Sequence, residues 1–202
     1  MTELAADQTV LALFKDSDAL LHGHFQLTSG KHSEWYFEKI RLIEKPAALD
    51  KIVDLLAAKI RREVPDFDYV VSPAYGAIAI GFLAALKLGK RFAFTQRGAD
   101  EKMTIRSGFS GLDGSRAVVV EDILTTGGSI QEVLACLRER QVQPAGIYVL
   151  VDRTAGSVTI EGRPVGSLLA LKVEAFDPAV CPFCAKGIPL TKPGASDKKA
   201  AR

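Results

Sequence analysis

Apolar runs and helical patterns alternate through the middle of the chain, and this alternation restricts the fold more than any other feature. Four short apolar runs have the composition of strands that are buried on both faces. Two stretches between them carry apolar residues at helical spacing. Such alternation predicts right-handed βαβ units, in which a parallel sheet has helices on both faces. The predicted strands are 69–71, 91–95, 116–121 and 146–151, and the predicted helices are 77–88 and 127–140.

The flanking segments predict further elements around one domain. Apolar spacing predicts helices at 2–21 and from Pro46 to 63, whereas alternation predicts strands at 25–29 and 35–37 with Gly30 turning between them. A further strand is predicted at 168–176. The polar segment 97–114 is predicted to be a long loop. The tail 193–202, which consists mainly of Pro, Gly, Ser, Lys and Ala, is predicted to be disordered. Residues 1–192 are therefore predicted to form a single domain.

Composition and charge exclude several classes of protein. The 202 residues include 26 Lys and Arg against 24 Asp and Glu, and a net charge of +2 gives no basis for bulk nucleic-acid binding. The most apolar stretch, 77–86, is too short to cross a bilayer, and the N-terminus does not resemble a signal peptide. The odd cysteine count of 3 argues against a secreted disulfide framework. We therefore expect a cytoplasmic protein without membrane contact.

The segment 118–129 carries the clearest chemical signal. Its apolar strand leads to two adjacent carboxylates, Glu121 and Asp122, and then to two threonines, two glycines and a serine that open a helix. Glycines let a ligand approach the backbone, and free N–H groups at a helix start bind phosphate. Carboxylates suit a ribose diol, although both can reach one ligand only if the strand ends near Glu121. The pattern predicts a ribose 5-phosphate site and matches neither a P-loop nor a dinucleotide fingerprint.

This segment resembles the phosphoribosyl pyrophosphate (PRPP) motif of type I phosphoribosyltransferases. The resemblance extends from about Leu20 to Pro193 and points to the orotate phosphoribosyltransferase branch. Residues 23–33 are similar to its hood segment, 72–76 to its pyrophosphate loop, and 181–190 to the C-terminal end of its bacterial and archaeal members. The resemblance implies an α/β fold with a central parallel sheet flanked by helices, and a small hood built from about 20–45 and part of 155–192.

The resemblance also implies a reaction and the residues that perform it. Orotate and PRPP would give orotidine 5′-monophosphate and pyrophosphate in pyrimidine biosynthesis, in a homodimer, with Mg²⁺ held mainly by PRPP and no direct protein ligand. The residues expected to bind PRPP are Ala74, Tyr75, Gly76, Glu121, Asp122, Ile123, Leu124, Thr125, Thr126, Gly127, Gly128 and Ser129. Those expected to bind orotate are Tyr36, Phe37, Thr125 and Arg153, and those expected to be catalytic are Arg97, Lys102, Arg106 and Asp122.

The identity of the catalytic cation is left open by the sequence. Pyrophosphate gathers negative charge as it leaves an anomeric carbon, so a cation is needed where that charge develops. Arg97, Lys102 and Arg106 are candidates, although the same residues would also suit a solvated surface loop. The loop contains no histidine, and the better-known branch has lysines where Thr28 stands and near Gly76.

Two other functions are weighed against orotate transfer. A purine phosphoribosyltransferase would share the PRPP motif, but a purine base has no carboxylate for Arg153, whereas a bidentate arginine suits orotate. A PRPP-sensing regulator that binds RNA or DNA would show a basic face, and the near-neutral charge speaks against that function.

The cysteines and histidines do not form a recognisable metal motif in the sequence. Cys181 and Cys184 could be two ligands, but structural zinc usually needs four, and Cys136 lies inside a predicted helix. The three histidines, His22, His24 and His32, lack the spacing of a metal-binding helix pair. A zinc site within one chain is therefore not predicted, and a site shared across a dimer stays open.

Overall fold

The computed structural model describes residues 8–27 and 29–193. The helices are α1 (Gln8–Asp16), α2 (Lys39–Ile43), α3 (Pro46–Glu63), α4 (Ile78–Leu88), α5 (Gly128–Glu139) and α6 (Pro182–Ala185), with a 3₁₀ turn at Pro178–Val180. The strands are β1 (Leu20–Gln26), β2 (His32–Phe37), β3 (Tyr69–Pro73), β4 (Arg91–Arg97), β5 (Met103–Ile105), β6 (Arg116–Leu124), β7 (Gln143–Asp152) and β8 (Gly166–Ala170). None of the described helices is both long and apolar enough to span a bilayer.

A six-stranded sheet in the order β5-β4-β3-β6-β7-β8 forms the centre of the fold. All its pairings are parallel except that of β4 with the short edge strand β5. Successive valines of β3 and β6 point to opposite faces, where Val70 and Val118 pack with α3 and α4, and Val71 and Val119 pack with α5. Both faces are therefore covered, which confirms the predicted fold class.

Helix α3 shows how local sequence sets an element that supports the sheet. Pro46 occupies its first turn, where the missing N–H costs nothing. The helix ends at Glu63, as predicted, and its buried face consists of Leu49, Ile52, Val53, Leu56, Ala57 and Ile60. These side chains hold α3 against one face of the sheet, and the carboxyl ends of the strands stay open to ligands.

The hairpin formed by β1 and β2 is a separate two-stranded sheet. Gly30 adopts a φ of +82° in its turn, where Gly30 N–H donates to Leu27 O. The C-terminal segment is tied to this hairpin, because Phe25 pairs with Thr191 and His32 pairs with Phe176. Residues from 194 onward, in the predicted disordered tail, lie outside the described residues.

Several predicted bounds differ from the structure. The predicted helix at 2–21 ends at Asp16, because Asp18 takes a φ of 57° and turns the chain into β1; Gly23 therefore lies within a strand instead of ending a helix. The predicted loop at 97–114 contains β5, which adds to the edge of the sheet. Strand β6 continues beyond Glu121, since β7 pairs with it as far as Leu124.

Candidate active site

A cavity of about 670 Å³ lies at the carboxyl ends of β6 and β7, beneath the β1–β2 hairpin. Its wall is formed by Leu27, Ser29, Tyr36, Phe37, Glu38, Lys39, Ile123, Thr125, Thr126, Arg153, Thr154, Val173 and Ala175. A second depression, of about 480 Å³, lies at the amino ends of β3 and β4, beside Tyr69 and Arg91. Ligands of open α/β sheets bind at the carboxyl edge, so the larger cavity is the candidate active site.

The loop before α5 is built to accept an anion. Gly127 has a φ of +82°, which favours glycine, and a Cβ atom there would also displace the end of the Ile160 side chain. At Gly128 the nearest atom to an added Cβ would be Thr126 Oγ1 at 3.9 Å, so the backbone faces open space. Helix α5 has no acidic residue in its first turn, and its amino end therefore favours a phosphate.

The two motif carboxylates are buried and are linked to the cavity by a lysine. Glu121 and Asp122 are only 7% and 5% exposed, and Lys39 Nζ lies 2.6 Å from Asp122 Oδ2. Burial, aided by the charge of Asp122, raises the pKa of Glu121 to about 8. Burial alone would lower the pKa of Lys39, but the attraction of Asp122 outweighs it and the pKa is raised. Lys39 therefore stays a cation beside Asp122, and burial shifts Glu121 towards its protonated form.

The expectation that the strand would end near Glu121 is wrong. The strand runs on to Leu124, whose side chain is fully buried in the core, so only the backbone of Leu124 can meet a ligand. Neither carboxylate lines the cavity, but Lys39 does, and it connects Asp122 to the wall. Sequence reasoning missed Lys39, because it follows β2 and reaches Asp122 only through the tertiary fold.

The pyrophosphate-loop residues lie against this lysine–aspartate pair. A Cβ atom added to Gly76 would lie 2.6 Å from Asp122 Oδ2, so a larger residue would displace the pair. Ala74 is half-buried and its N–H donates to Thr95 O at 2.7 Å, whereas the Tyr75 side chain is 87% exposed. The structure thus brings Lys39 close to Gly76, where the better-known branch carries a lysine in the loop itself.

Arg153 presents a half-buried cation to the cavity. The preceding Asp152 is buried and accepts hydrogen bonds from Thr154 N at 2.7 Å and Gly156 N at 2.8 Å, which holds the loop in place. Burial lowers the pKa of the Arg153 guanidinium. Within the described part of the chain, no carboxylate lies within ion-pair distance of it. An uncompensated guanidinium in a cavity wall is suited to an anionic group of a ligand.

The two aromatic residues expected at the pyrimidine differ in environment. Both line the cavity, but the Phe37 ring belongs to the core, where it meets Phe14 edge-on at a centroid distance of 5.4 Å. Tyr36 is half-buried beside Arg153, and burial raises its pKa. Tyr36 therefore offers a ring and a hydroxyl to a ligand, whereas Phe37 mainly anchors the hairpin.

The three cations expected to be catalytic do not line the cavity. Arg97 is bound in place, since it donates to Glu132 at 2.7 Å and to Glu101 O at 2.6 Å. Lys102 is 83% exposed and lies 3.9 Å from Asp100, and Arg106 is also exposed. In this conformation the cations nearest to a ligand would be Lys39 and Arg153.

A helix start that favours an anion, two buried carboxylates and a cationic cavity wall lie together at the carboxyl edge of a parallel sheet. A family model for the phosphoribosyl transferase domain matches residues 42–176, well over half of the chain. The chain therefore belongs to the phosphoribosyltransferase family.

Curated relatives identify the branch as orotate phosphoribosyltransferase. The enzyme of that name from Caldicellulosiruptor bescii is 38% identical over 188 residues, which cover 93% of this chain and 97% of the relative. The one from Pelotomaculum thermopropionicum is 40% identical over 185 residues, covering 92% and 95%. The crystal structure of orotate phosphoribosyltransferase from Aeropyrum pernix matches with 27% identity and a TM-score of 0.70, over 81% of this chain and 94% of that one.

An enzyme that acts on a purine base also has this fold. A structure of adenine phosphoribosyltransferase from Thermoanaerobacter pseudethanolicus covers 68% of this chain and 88% of its own length, with a TM-score of 0.59 and 18% identity. At that identity the likeness concerns the fold alone. The fold by itself therefore does not specify the base.

Proposed function

We propose that this protein transfers the 5-phosphoribosyl group from PRPP to orotate. The bond from C1′ of the ribose to the pyrophosphate oxygen breaks, and a bond from C1′ to the ring nitrogen N1 of orotate forms. The proton displaced from N1 passes to the released pyrophosphate, so the products are orotidine 5′-monophosphate and pyrophosphate. The observation that carries this proposal is Arg153, whose half-buried guanidinium lacks an acidic partner among the described residues and faces the cavity. It offers a bidentate partner for the carboxylate that distinguishes orotate from uracil and purines.

The remaining contacts follow from the geometry around the cavity. The 5′-phosphate binds at the amino end of α5, where Thr125 and Thr126 add exposed hydroxyl donors. We assign the acceptor of a ribose hydroxyl to Asp122, which Lys39 links to the cavity wall and which the sugar reaches when that wall rearranges. Ile123 and Tyr36 both line the cavity and offer apolar surface to the sugar and the base.

Phosphoribosyltransferases generally use Mg²⁺ with PRPP, and the residues of this chain fit an ion that PRPP itself carries. Asp122 is already paired with Lys39, and both carboxylates are buried and absent from the cavity wall, so neither is a free ligand for the ion. Mg²⁺ prefers substrate phosphates together with water and few protein ligands. When bound, the ion neutralises charge on the departing pyrophosphate.

When the loop after β4 closes, it brings a further cation to the departing pyrophosphate, in addition to Lys39 and Arg153 of the cavity wall. Lys102 and Arg106 are exposed and lie outside the cavity, so they reach the leaving group only through loop movement or from a second subunit. The proposed assembly is a homodimer in which the loop enters the neighbouring site. Mixing a Lys102→Ala variant with an Asp122→Ala variant should restore activity, because one heterodimer site would be intact. Mixtures no more active than the two parents, after verified subunit exchange, would place the loop in its own site.

The hairpin and the C-terminal segment act as the proposed hood over this cavity. Tyr36 of β2 and Val173 and Ala175 of the C-terminal segment line it on the side opposite the sheet. A hood of this kind excludes water from the reacting sugar, which strengthens the electrostatic contacts inside.

The proposal is tested with the purified protein, PRPP and Mg²⁺. Orotate, uracil, adenine and hypoxanthine are offered separately, and both the nucleotide and pyrophosphate are quantified. We expect equal amounts of orotidine 5′-monophosphate and pyrophosphate with orotate, and neither product with the purines. Turnover of adenine or hypoxanthine with orotate inert would support a purine phosphoribosyltransferase instead.

A further inference from the structure

Four potential metal ligands meet where the hairpin joins the C-terminal segment. They are His24 of β1, His32 of β2, and Cys181 and Cys184 at the start of and inside α6, and their ligand atoms all lie within 4.8 Å of one another. Three of them are buried, with exposures of 3% for His24, 5% for His32 and 2% for Cys181. We propose that this cluster binds one Zn²⁺ ion within a single chain.

The distances between the four side chains fit tetrahedral coordination. His24 Nε2 lies 3.0 Å from His32 Nδ1, 3.5 Å from Cys181 Sγ and 3.7 Å from Cys184 Sγ, and Cys184 Sγ lies 3.3 Å from His32 Nδ1. Zinc with bonds of about 2.05 Å to nitrogen and about 2.3 Å to sulfur would separate two nitrogens by about 3.3 Å, and nitrogen from sulfur by about 3.5 Å. These four separations therefore lie within a few tenths of an ångström of the expected values. The two remaining separations, from Cys181 to His32 and to Cys184, are at most 4.8 Å, against about 3.5–3.8 Å around a bound ion.

The orientation of His24 also suits a metal ligand. Its Nδ1 lies 2.8 Å from the backbone oxygen of Ile188, which can only accept, so Nδ1 carries the proton and Nε2 directs its lone pair into the cluster. Metal-binding histidines almost always donate their other ring N–H in this way. The His24 ring also stacks on Phe183, with centroids 5.7 Å apart, and this contact further orients the ring.

The chemistry of the donors selects zinc. Two thiolates and two neutral imidazoles balance the charge of Zn²⁺, so the loaded site is neutral and suits its burial. A tetrahedral set of two sulfurs and two nitrogens favours zinc, whereas Mg²⁺ requires oxygen ligands. This site is therefore separate from the ion that PRPP carries.

The four protein ligands leave no open position for a substrate, so the role of the ion is structural. It would join residues 157 positions apart in the sequence, His24 and Cys181. The same junction already carries backbone pairs between His24 and Thr191 and between His32 and Phe176. The ion would thus fasten the C-terminal segment to the hairpin that contributes Tyr36 to the cavity wall.

Metal analysis of the full chain tests this inference. Protein purified under reducing conditions without chelator should contain about one zinc per chain, and Cys184→Ser or His24→Asn should reduce this to about a tenth or less. Matched controls are Cys136→Ser, in α5 and outside the cluster, and His22→Asn, an exposed histidine of the same hairpin that is paired with Glu34. Both controls should keep their zinc.

Two further measurements keep the test decisive if a variant fails to fold. Cobalt(II) added to the metal-free wild-type protein should give the visible absorption bands of tetrahedral, thiolate-bound cobalt. Zinc at a hundredfold excess over its Kd should raise Tm by about 5–10 °C. Wild-type protein without zinc and without a cobalt spectrum would overturn the proposal. Stoichiometric iron in place of zinc would also overturn it. A disulfide between Cys181 and Cys184, detected in protein from cells whose free thiols are alkylated at lysis, would do the same.

Discussion

Replacing Arg153 with alanine removes the cation on which the choice of base depends. No acidic partner of Arg153 occurs among residues 8–27 and 29–193, and the loop around it is held by Asp152, so the variant breaks no ion pair in the described structure. The fold should therefore survive, and any loss of function reports on the ligand.

The size of the effect follows from the environment of the guanidinium. A hydrogen bond to a charged group contributes about 1.5–3 kcal/mol, and a half-buried bidentate contact falls within that range. Since about 1.4 kcal/mol corresponds to a factor of ten, the KM for orotate should rise about tenfold to 150-fold. The KM for PRPP should change by less than about threefold, because Arg153 follows β7 and is not part of the loop at 125–129 that is proposed to hold the 5′-phosphate.

The assay is steady-state formation of orotidine 5′-monophosphate with each substrate varied in turn. Arg153→Lys keeps the charge but loses the planar fork, so it should fall between wild type and alanine. Arg163→Ala is a matched control, because Arg163 is exposed and its contact to Pro144 O, at 3.4 Å, lies away from the cavity. An unchanged KM for orotate in Arg153→Ala would refute the reasoning, and an equal rise for PRPP would indicate a phosphate contact instead.

Three further substitutions test the rest of the site. Gly128→Val should fold normally, because an added Cβ meets nothing closer than 3.9 Å, and should weaken PRPP binding in calorimetry by more than about tenfold; unchanged binding would place the phosphate elsewhere. Lys102→Ala should lower kcat by about a hundredfold and alter PRPP affinity far less, because the negative charge that Lys102 would meet develops in the transition state. Full turnover in this variant would mean that Arg106 is the catalytic cation or that the loop supplies none. Glu121→Gln should flatten the pH dependence of stability. The pKa of Glu121 is raised from 4.5 to about 8, so its contribution is complete below pH 4.5 and is lost as the pH rises through 8. Urea titrations across this window that show the same slope in the variant and the wild type would contradict that assignment.

Segments with strong local signals could be predicted from the sequence. Helix α3 begins at Pro46 and ends at Glu63 as predicted, because proline placement and a continuous apolar face both act locally. The loop at 125–129 could be proposed as the phosphate site for the same reason, since its glycines and hydroxyls are adjacent in the chain.

Bounds set by tertiary pairing were predicted poorly. Strand β6 extends to Leu124 because β7 provides partners for it, and the short strand β5 exists because β4 has a free edge beside it. The periodicity of Leu11, Phe14 and Leu21 fits a helix, yet a turn at Asp18 places Leu21 in a strand. Apolar spacing alone does not separate these cases.

Contacts between distant segments were not visible to sequence reasoning at all. Lys39 reaches Asp122 only when the hairpin lies over the sheet. The sequence alone therefore gave no indication that Lys39 would lie beside Gly76. The two histidines of the hairpin and the two cysteines of α6 were judged by local spacing, which cannot show that strand pairing brings them together. Sites assembled from distant segments require the tertiary structure.

A crystal structure with bound orotidine 5′-monophosphate tests the account most directly. We predict that its 5′-phosphate accepts hydrogen bonds from backbone N–H groups of residues 126–129, and that its carboxylate lies about 2.8 Å from the Arg153 guanidinium. The product in the depression beside Arg91, or in the larger cavity with its carboxylate turned away from Arg153, would contradict the account.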